Sequence, residues 1–387
     1  MPNTGLIAVL KYKSQPQTEE NDTMKCTVTK ETLLTHLQKV VNIISKKPIL
    51  PIMNNLKIEA VGSELRLTAN SLDMYIETVM AADVTEEGCT TLPAYRLLDL
   101  VNRLNDKEIE LESDEQFHCK ITCGNASFKL LGMNPVDYPE FATVESEQTL
   151  TLKNAAYIRM VDQVAYAVSR DDSRKTLQGI LFELKEHTLN AVATDGKRLA
   201  MAKTEMDDCE DRNCNIILPY RAAVEIKRIL DGDGTMNMEF NSKYLCVKSG
   251  TTTFKTKLIE GNYPPYRQVI PQEFGKSVEL TTGTFAQSLD LVSVPIGSGD
   301  YVTLKFTAGQ LELHTQSANV GEGSDTLTVP YDYEDEMSFS FNPEFLRDPF
   351  RFSGTDKLMF RMNDTKTPVA LESDSGFTYI LMPMRSK

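Results

Sequence analysis

The chain has 387 residues, 41% hydrophobic and 25% charged, which suits two or three globular domains, and no apolar run approaches the roughly 20 residues that span a bilayer. A formal charge of −14 excludes a uniformly basic coat, so any attraction for nucleic acid has to come from local groups of cations. Cys26, Cys89, Cys119, Cys123, Cys209, Cys214 and Cys246 are an odd set without dense spacing, and Leu6 to Leu10 is too short for a signal-peptide core; both point to reduced thiols in the cytoplasm.

Residues 1–23 are rich in Asn, Thr, Gln and Glu and read as a mobile N-terminal extension ahead of Met24. Leu33, Leu37, Val40, Val41 and Ile44 then recur at helical spacing, the run Glu64-Leu65-Arg66-Leu67-Thr68 alternates as a half-buried strand, and Leu97, Leu100, Val101 and Leu104 mark a second helix. The same order returns twice more. Helix-starting prolines stand at Pro93, Pro219 and Pro343, spaced 126 and 124 residues apart. Terminal aromatics fall at Phe128, Phe254 and Phe377, and alternating strands hold Leu65 with Leu67, Leu189 with Ala191, and Leu311 with Leu313. Turns such as Asp231-Gly232-Asp233-Gly234 and Gly261-Asn262-Tyr263-Pro264 separate the elements. Three markers with one period predict three α+β repeats, each of two helices packed on antiparallel sheets, over 24–148, 149–276 and 277–387. Pro295 and Pro349 are expected to shorten helices of the third repeat.

Positive charge gathers on the stretches read as inner helices: 29–47 sums to +3 and 153–175 to +2. Lys39 with Lys46, Arg96 with Arg103, and Arg221 with Arg228 are each seven apart, which puts both members of a pair on one helix face. A solvated face carries such residues for solubility alone, but recurrence in several helices favours contact with phosphate. Lys46, Lys47, Arg96, Arg103, Arg170, Arg174, Lys175, Arg221 and Arg228 are the candidate cations for double-stranded DNA. The first helix of the third repeat, near Thr281 to Val294, has none. Few aromatics stand on these helices, so a single-strand stacking platform is not expected.

Four motifs then bring in a family: Lys47-Pro48-Ile49-Leu50-Pro51-Ile52, Ala193-Thr194-Asp195-Gly196-Lys197-Arg198-Leu199-Ala200, Tyr263-Pro264-Pro265-Tyr266, and Tyr379-Ile380-Leu381-Met382-Pro383-Met384-Arg385. From Met24 onward the chain resembles the bacterial DNA sliding clamps, the beta subunits of replicative DNA polymerase III. The resemblance implies a DNA clamp fold of three clamp-like domains, and a head-to-tail homodimer of six domains with twelve helices around a hole. Helices packed at 8–10 Å give that hole a perimeter of about 100–120 Å, room for a duplex. It implies a processivity factor that slides without reading sequence and tethers the polymerase III alpha subunit, the clamp loader, other polymerases and repair proteins through short hydrophobic motifs. Their cleft, between domains 2 and 3, would be formed by Leu177, Thr194, Gly196, Lys197, Arg198, Leu199, Pro264, Val269, Asn342, Phe345, Pro368, Ile380, Met382, Pro383, Met384 and Arg385. The dimer contact would bring Phe128 and Leu130 to Val294 and Ile296. An alternative is a clamp-derived peptide-binding scaffold that no longer encircles DNA.

An enzyme is not indicated, and no cofactor or metal is expected. His36, His118, His187 and His314 are dispersed, His118 with Cys119 and Cys123 has no second ligand pair, and no glycine-rich phosphate loop is present. Thr194-Asp195-Gly196 reads as a turn rather than a catalytic loop.

Overall fold

The computed structural model describes residues 23–45, 48–206, 213–297 and 299–384. The chain divides into two compact units, residues 1–141 and 142–387.

The first unit opens with β1 (Lys25–Thr29) and α1 (Lys30–Val40), followed by β2 (Asn55–Val61), β3 (Glu64–Asn70), β4 (Met74–Ala81), β5 (Asp83–Glu86) and β6 (Gly88–Pro93). Then come α2 (Ala94–Arg103), β7 (Glu108–Ser113), β8 (Cys119–Cys123) and β9 (Ala126–Leu130). The strands pair antiparallel in the orders β5-β1-β7-β8-β9 and β4-β3-β2-β6. Thr29 starts α1 by accepting a hydrogen bond from the Thr32 amide at 3.2 Å, with Glu31 in the first turn and Lys39 in the last. Leu33, Leu37 and Val40 are its buried stripe. After Val40 the backbone tightens to a 3₁₀ turn and Ile44 is extended; the β-branched run Val40, Val41, Ile43, Ile44 favours that ending. The expected helix over 29–47 is therefore shorter, with Lys39 in the last turn of α1. Lys46 and Lys47 themselves lie outside the described residues.

The second unit repeats this order twice. Its first half is β10 (Gln148–Lys153), α3 (Asn154–Val164), β11 (Gly179–Lys185), β12 (Thr188–Thr194), β13 (Arg198–Glu205), β14 (Cys214–Pro219), α4 (Tyr220–Ile229), β15 (Thr235–Phe240), β16 (Tyr244–Ser249) and β17 (Thr252–Lys257). Its second half is β18 (Lys276–Thr281), α5 (Thr282–Val292), β19 (Val302–Thr307), β20 (Gln310–Ser317), β21 (Gly321–Thr328), β22 (Met337–Phe341), α6 (Pro343–Phe352), β23 (Lys357–Met362), β24 (Val369–Ser373) and β25 (Phe377–Leu381). Two four-stranded sets, β10-β15-β16-β17 and β21-β20-β19-β22, accompany one run of eight, β14-β11-β12-β13-β25-β24-β23-β18. That long sheet joins the two halves, because β13 pairs antiparallel with β25 with Arg198 opposite Leu381, Leu199 opposite Ile380 and Ala200 opposite Tyr379.

Each repeat thus begins with a strand, not with a helix as its sequence suggests. The stretch 153–175 is not one helix either: α3 ends at Val164, and Arg170 and Arg174 lie in the connection that follows. Pro93 and Pro219 occupy the cap position of α2 and α4, whereas Pro343 is the first residue of α6 and Asn342 caps it, accepting from the amides of Glu344 at 2.8 Å and Phe345 at 3.3 Å. Pro295 falls in the turn after α5. Contrary to expectation, α6 continues past Pro349 to Phe352. The carbonyl that a residue 349 amide would have bonded belongs to Phe345, and the Tyr379 hydroxyl donates to it instead at 2.8 Å. Among the described residues no helix is long and apolar enough to cross a membrane.

Candidate functional site

The turn between β12 and β13 organises the site. Asp195 Oδ1 accepts from the amides of Lys197 at 2.9 Å and Arg198 at 3.1 Å, so it builds a turn. Thr194 donates its hydroxyl to the Arg198 carbonyl at 2.6 Å and accepts from the Gly196 amide at 3.1 Å. Gly196 has φ +86°, a backbone conformation that favours glycine; the nearest atom to a Cβ there, 2.9 Å away, is the guanidinium end of the exposed Arg174 side chain, which can move aside.

Arg198 leaves this turn and becomes a hub. Its guanidinium donates to Asp195 at 3.1 Å, to the Tyr166 carbonyl at 2.6 Å and to Asp348 on α6, and lies 4.3 Å from the centre of the Phe345 ring. Its side chain is 10% exposed, so these contacts operate with little water between them. Burial opposes the charge on Arg198, but Tyr379 and Asp348 together hold its pKa above the ordinary value. Burial pushes Asp348 upward, against the pull of Arg198, and it pushes the Tyr379 hydroxyl far up, which keeps that group a donor.

Beneath the turn, Leu199 and Ile380 are sealed into a cluster with Leu181, Val192, Ile217, Tyr266 and Ala370, against which Met201, Ile259, Tyr263, Ile270 and Phe274 pack. Cross-strand pairing of Leu199 with Ile380 fixes them there. Past the end of β25 the chain is different. Met382 is 46% and Met384 42% exposed, although the Met384 amide is held by the Ser340 carbonyl at 2.7 Å. Two exposed methionines on an anchored backbone make an apolar, adaptable surface.

Of the other expected cleft residues, Leu177 is buried in a 3₁₀ turn, Pro368 is partly buried ahead of β24, and Phe345 projects from α6 beside Arg198. Pro264 and Val269 are exposed on the segment covering the sheet, where Pro264 borders a cavity of about 380 Å³. Arg385 lies outside the described residues. The structure thus brings Thr194, Gly196, Lys197, Arg198, Asn342 and Phe345 around the turn and the start of α6, and places Leu199 and Ile380 below.

The candidate DNA cations are less uniform. Arg96 and Arg103 are exposed on α2, where Arg103 pairs with Asp99 at 3.0 Å. On α4, Arg221 is exposed while Arg228 is half-buried against Glu225 at 2.8 Å. Arg170 and Lys175 are exposed, and Arg174 reaches the Asp195 carbonyl at 3.3 Å, which ties it to the turn.

Three family models, for the N-terminal, central and C-terminal domains of the DNA polymerase III beta subunit, match residues 24–142, 151–265 and 267–385. The chain belongs to the DNA polymerase III beta-subunit family. As a sliding clamp of that family it is a DNA polymerase processivity factor, built of three clamp domains of helices and antiparallel sheet. It is 28% identical over 381 residues to the beta sliding clamp of Chlamydia trachomatis, covering 97% of this chain and 91% of that one. The clamp structure from Pseudomonas aeruginosa bound to griselimycin superposes with a TM-score of 0.89 at 25% identity, over 94% of this chain and 100% of the other. That of Caulobacter crescentus, with polyethylene glycol at a region assigned to beta-motif tethering, gives 0.89 at 26% identity, over 94% and 99%.

Within this clamp, sequence reasoning missed Tyr166, Asp348 and Tyr379 as members of the Arg198 hub. Tyr379 stands inside a quoted motif and was in view; Tyr166 and Asp348 carry no local signal. Among the described residues two aromatics are exposed on helices, Tyr95 and Tyr220, 38% and 46% exposed in the first turns of α2 and α4.

Proposed function

We propose that the chain acts without catalysis, as a closed homodimeric ring in the cytoplasm that encircles duplex DNA and tethers partners by short hydrophobic motifs. The observation that carries this is the β13·β25 junction, where the 194–198 turn, the start of α6 and the methionine-bearing chain end meet in one unit. A peptide with an aromatic or leucine anchor would bury against Met382 and Met384 near the Phe345–Arg198 stack, as in helix- or strand-independent groove recognition by adaptable side chains. The polymerase III alpha subunit, the clamp loader, and other polymerases and repair proteins are the partners this reading assigns. DNA contact falls to the cations of α2 and α4 and the 170–175 connection, with Lys46 and Lys47, and asks only for phosphate.

Dimerisation is supported by a comparison between repeats. Phe254 and Phe377 are fully buried, but their counterpart Phe128 is 40% exposed. β25 is flanked by β13 and β24, whereas β9 has β8 alone among the described residues, and β21 is likewise an edge. A second copy supplies the missing neighbour, with Phe128, Leu130, Val294 and Ile296 as contact residues; Val294 is 77% exposed.

The test is topological. Protein placed on nicked circular DNA by a bacterial clamp loader with ATP stays bound through a salt wash and is released when the circle is cut. Glu at Arg96, Arg103, Arg170 and Arg221 lowers retention and its salt dependence. Release that is equally fast from circle and linear DNA overturns the ring and leaves a peptide-binding scaffold.

A further inference from the structure

A cavity of about 480 Å³ opens between the end of α3 and the start of α4, within the range of roughly 300–1,000 Å³ typical of small-ligand sites. Ser169, Arg170, Gln178, Tyr220, Arg221 and Ile259 are on its wall, and no carboxylate is. In a chain of net charge −14 an acid-free cavity with two guanidinium groups selects for an anion. Asp171 faces Arg174 at 3.5 Å, and Asp172 is held at the cavity's edge by Gln178, from which it accepts at 2.8 Å; Arg221 has a polar or electrostatic contact of its own. Arg170 makes no ion pair or hydrogen bond among the described residues.

The backbone adds to this. Tyr220 is the first residue of the ten-residue α4, Pro219 before it offers no side-chain acceptor to the first-turn amides, and Pro219, Tyr220 and Arg221 are all on the cavity wall. Tyr220 also presents a ring that is 46% exposed beside those cations. An inorganic anion would use the cations and leave the ring idle. A base inside a duplex has both faces stacked on neighbours and offers the protein its backbone. An unpaired nucleotide uses everything present: phosphate on the arginines, base face on the tyrosine.

We propose that this cavity holds one unpaired nucleotide of DNA, with Arg170, Arg221 and the first turn of α4 taking its phosphate and Tyr220 stacking on its base. It would seat the point where a single strand leaves the duplex. This deepens the DNA-clamp reading and rests on it.

The experiment uses the full chain, a fluorescein-labelled oligothymidylate and a blunt duplex of equal length, with binding followed by anisotropy at low salt. Tyr220→Ala is expected to weaken single-strand binding about tenfold, the scale of one base–aromatic stack. Being a surface change, it should alter duplex binding by no more than about twofold. Tyr220→Phe keeps wild-type affinity because only the ring face is used. Arg170→Ala weakens the single strand and flattens its salt dependence. No single-strand binding by the wild type, no loss in Tyr220→Ala, equal loss on both DNAs, or a Tyr220→Phe variant as weak as Tyr220→Ala each overturns the subsite. Failure of the clamp reading shows separately, as loss of retention of the wild type on circular duplex.

Discussion

The passage of α6 through Pro349 gives a sharp test of how the site is held. Tyr379→Phe keeps the ring, which is fully buried, and removes the hydroxyl that donates to the Phe345 carbonyl at 2.8 Å. Pro349 has no amide to take over and the ring excludes water, so that carbonyl is left unpaired at a cost of about 1–3 kcal/mol. A loss of about 2 kcal/mol makes local opening about thirtyfold more frequent. In a Pro349→Ala background the residue 349 amide can bond Phe345 in the ordinary helical way, and the same Tyr379→Phe change then costs about 0.5 kcal/mol, near twofold. Native-state hydrogen exchange at the amides of Phe350, Arg351 and Phe352 reads these local opening energies without requiring cooperative unfolding of the whole chain. The four proteins form a double-mutant cycle with a coupling of about 1.5 kcal/mol. Equal effects of Tyr379→Phe in both backgrounds would refute the substitution of a tertiary donor for the missing helical one.

Two further outcomes follow from the same geometry. Met384→Ala leaves its backbone bond to Ser340 intact and is expected to weaken a labelled hydrophobic clamp-binding peptide about thirtyfold, near 2 kcal/mol, without dissociating the dimer; wild-type affinity would place the cleft elsewhere. Glu183 accepts from Arg267 at 2.9 and 2.7 Å and from the Tyr266 hydroxyl at 2.7 Å. Burial acts to raise the Glu183 pKa, but these donors outweigh it and hold the carboxyl below its ordinary range. A depressed acid stabilises the fold fully above the ordinary carboxylate range and loses that contribution as pH falls through the folded value. Glu183→Gln should therefore melt lower at neutral pH and converge on the wild type in acid; parallel curves across a pH series of melting temperatures would exclude the linkage.

Local signals were legible in the sequence wherever they were repeated. The 3.6-residue stripe Leu33, Leu37, Val40 and the period-2 alternation of Leu65 and Leu67 depend on neighbours a few residues away, and both elements form there. The motif Thr194-Asp195-Gly196 was readable as a turn because Asp195 satisfies amides two and three residues ahead. Helix ends were less legible: a run of cations continued past Val40 and past Val164, but charge does not propagate a helix whose β-branched residues or uncapped end favour another backbone. The expected helices over 29–47 and 153–175 came out shorter for that reason.

What could not be read depends on which strands become neighbours. Phe128, Phe254 and Phe377 occupy one position of the repeat and share a residue type, yet two are buried and one is open. Nothing within a few residues of Phe128 distinguishes it; the difference is that β9 has β8 alone as a neighbour among the described residues while β25 lies between β13 and β24. Pairing of β13 with β25 joins residues more than 170 positions apart, and it brings Tyr379 under α6, where it removes the penalty that a local rule assigns to Pro349. A proline that should end a helix is tolerated because a residue 30 positions later supplies the hydrogen bond. The apparent local conflict is itself the marker of the long-range contact, and it sits against Phe345, at the residue where the Arg198 hub meets α6.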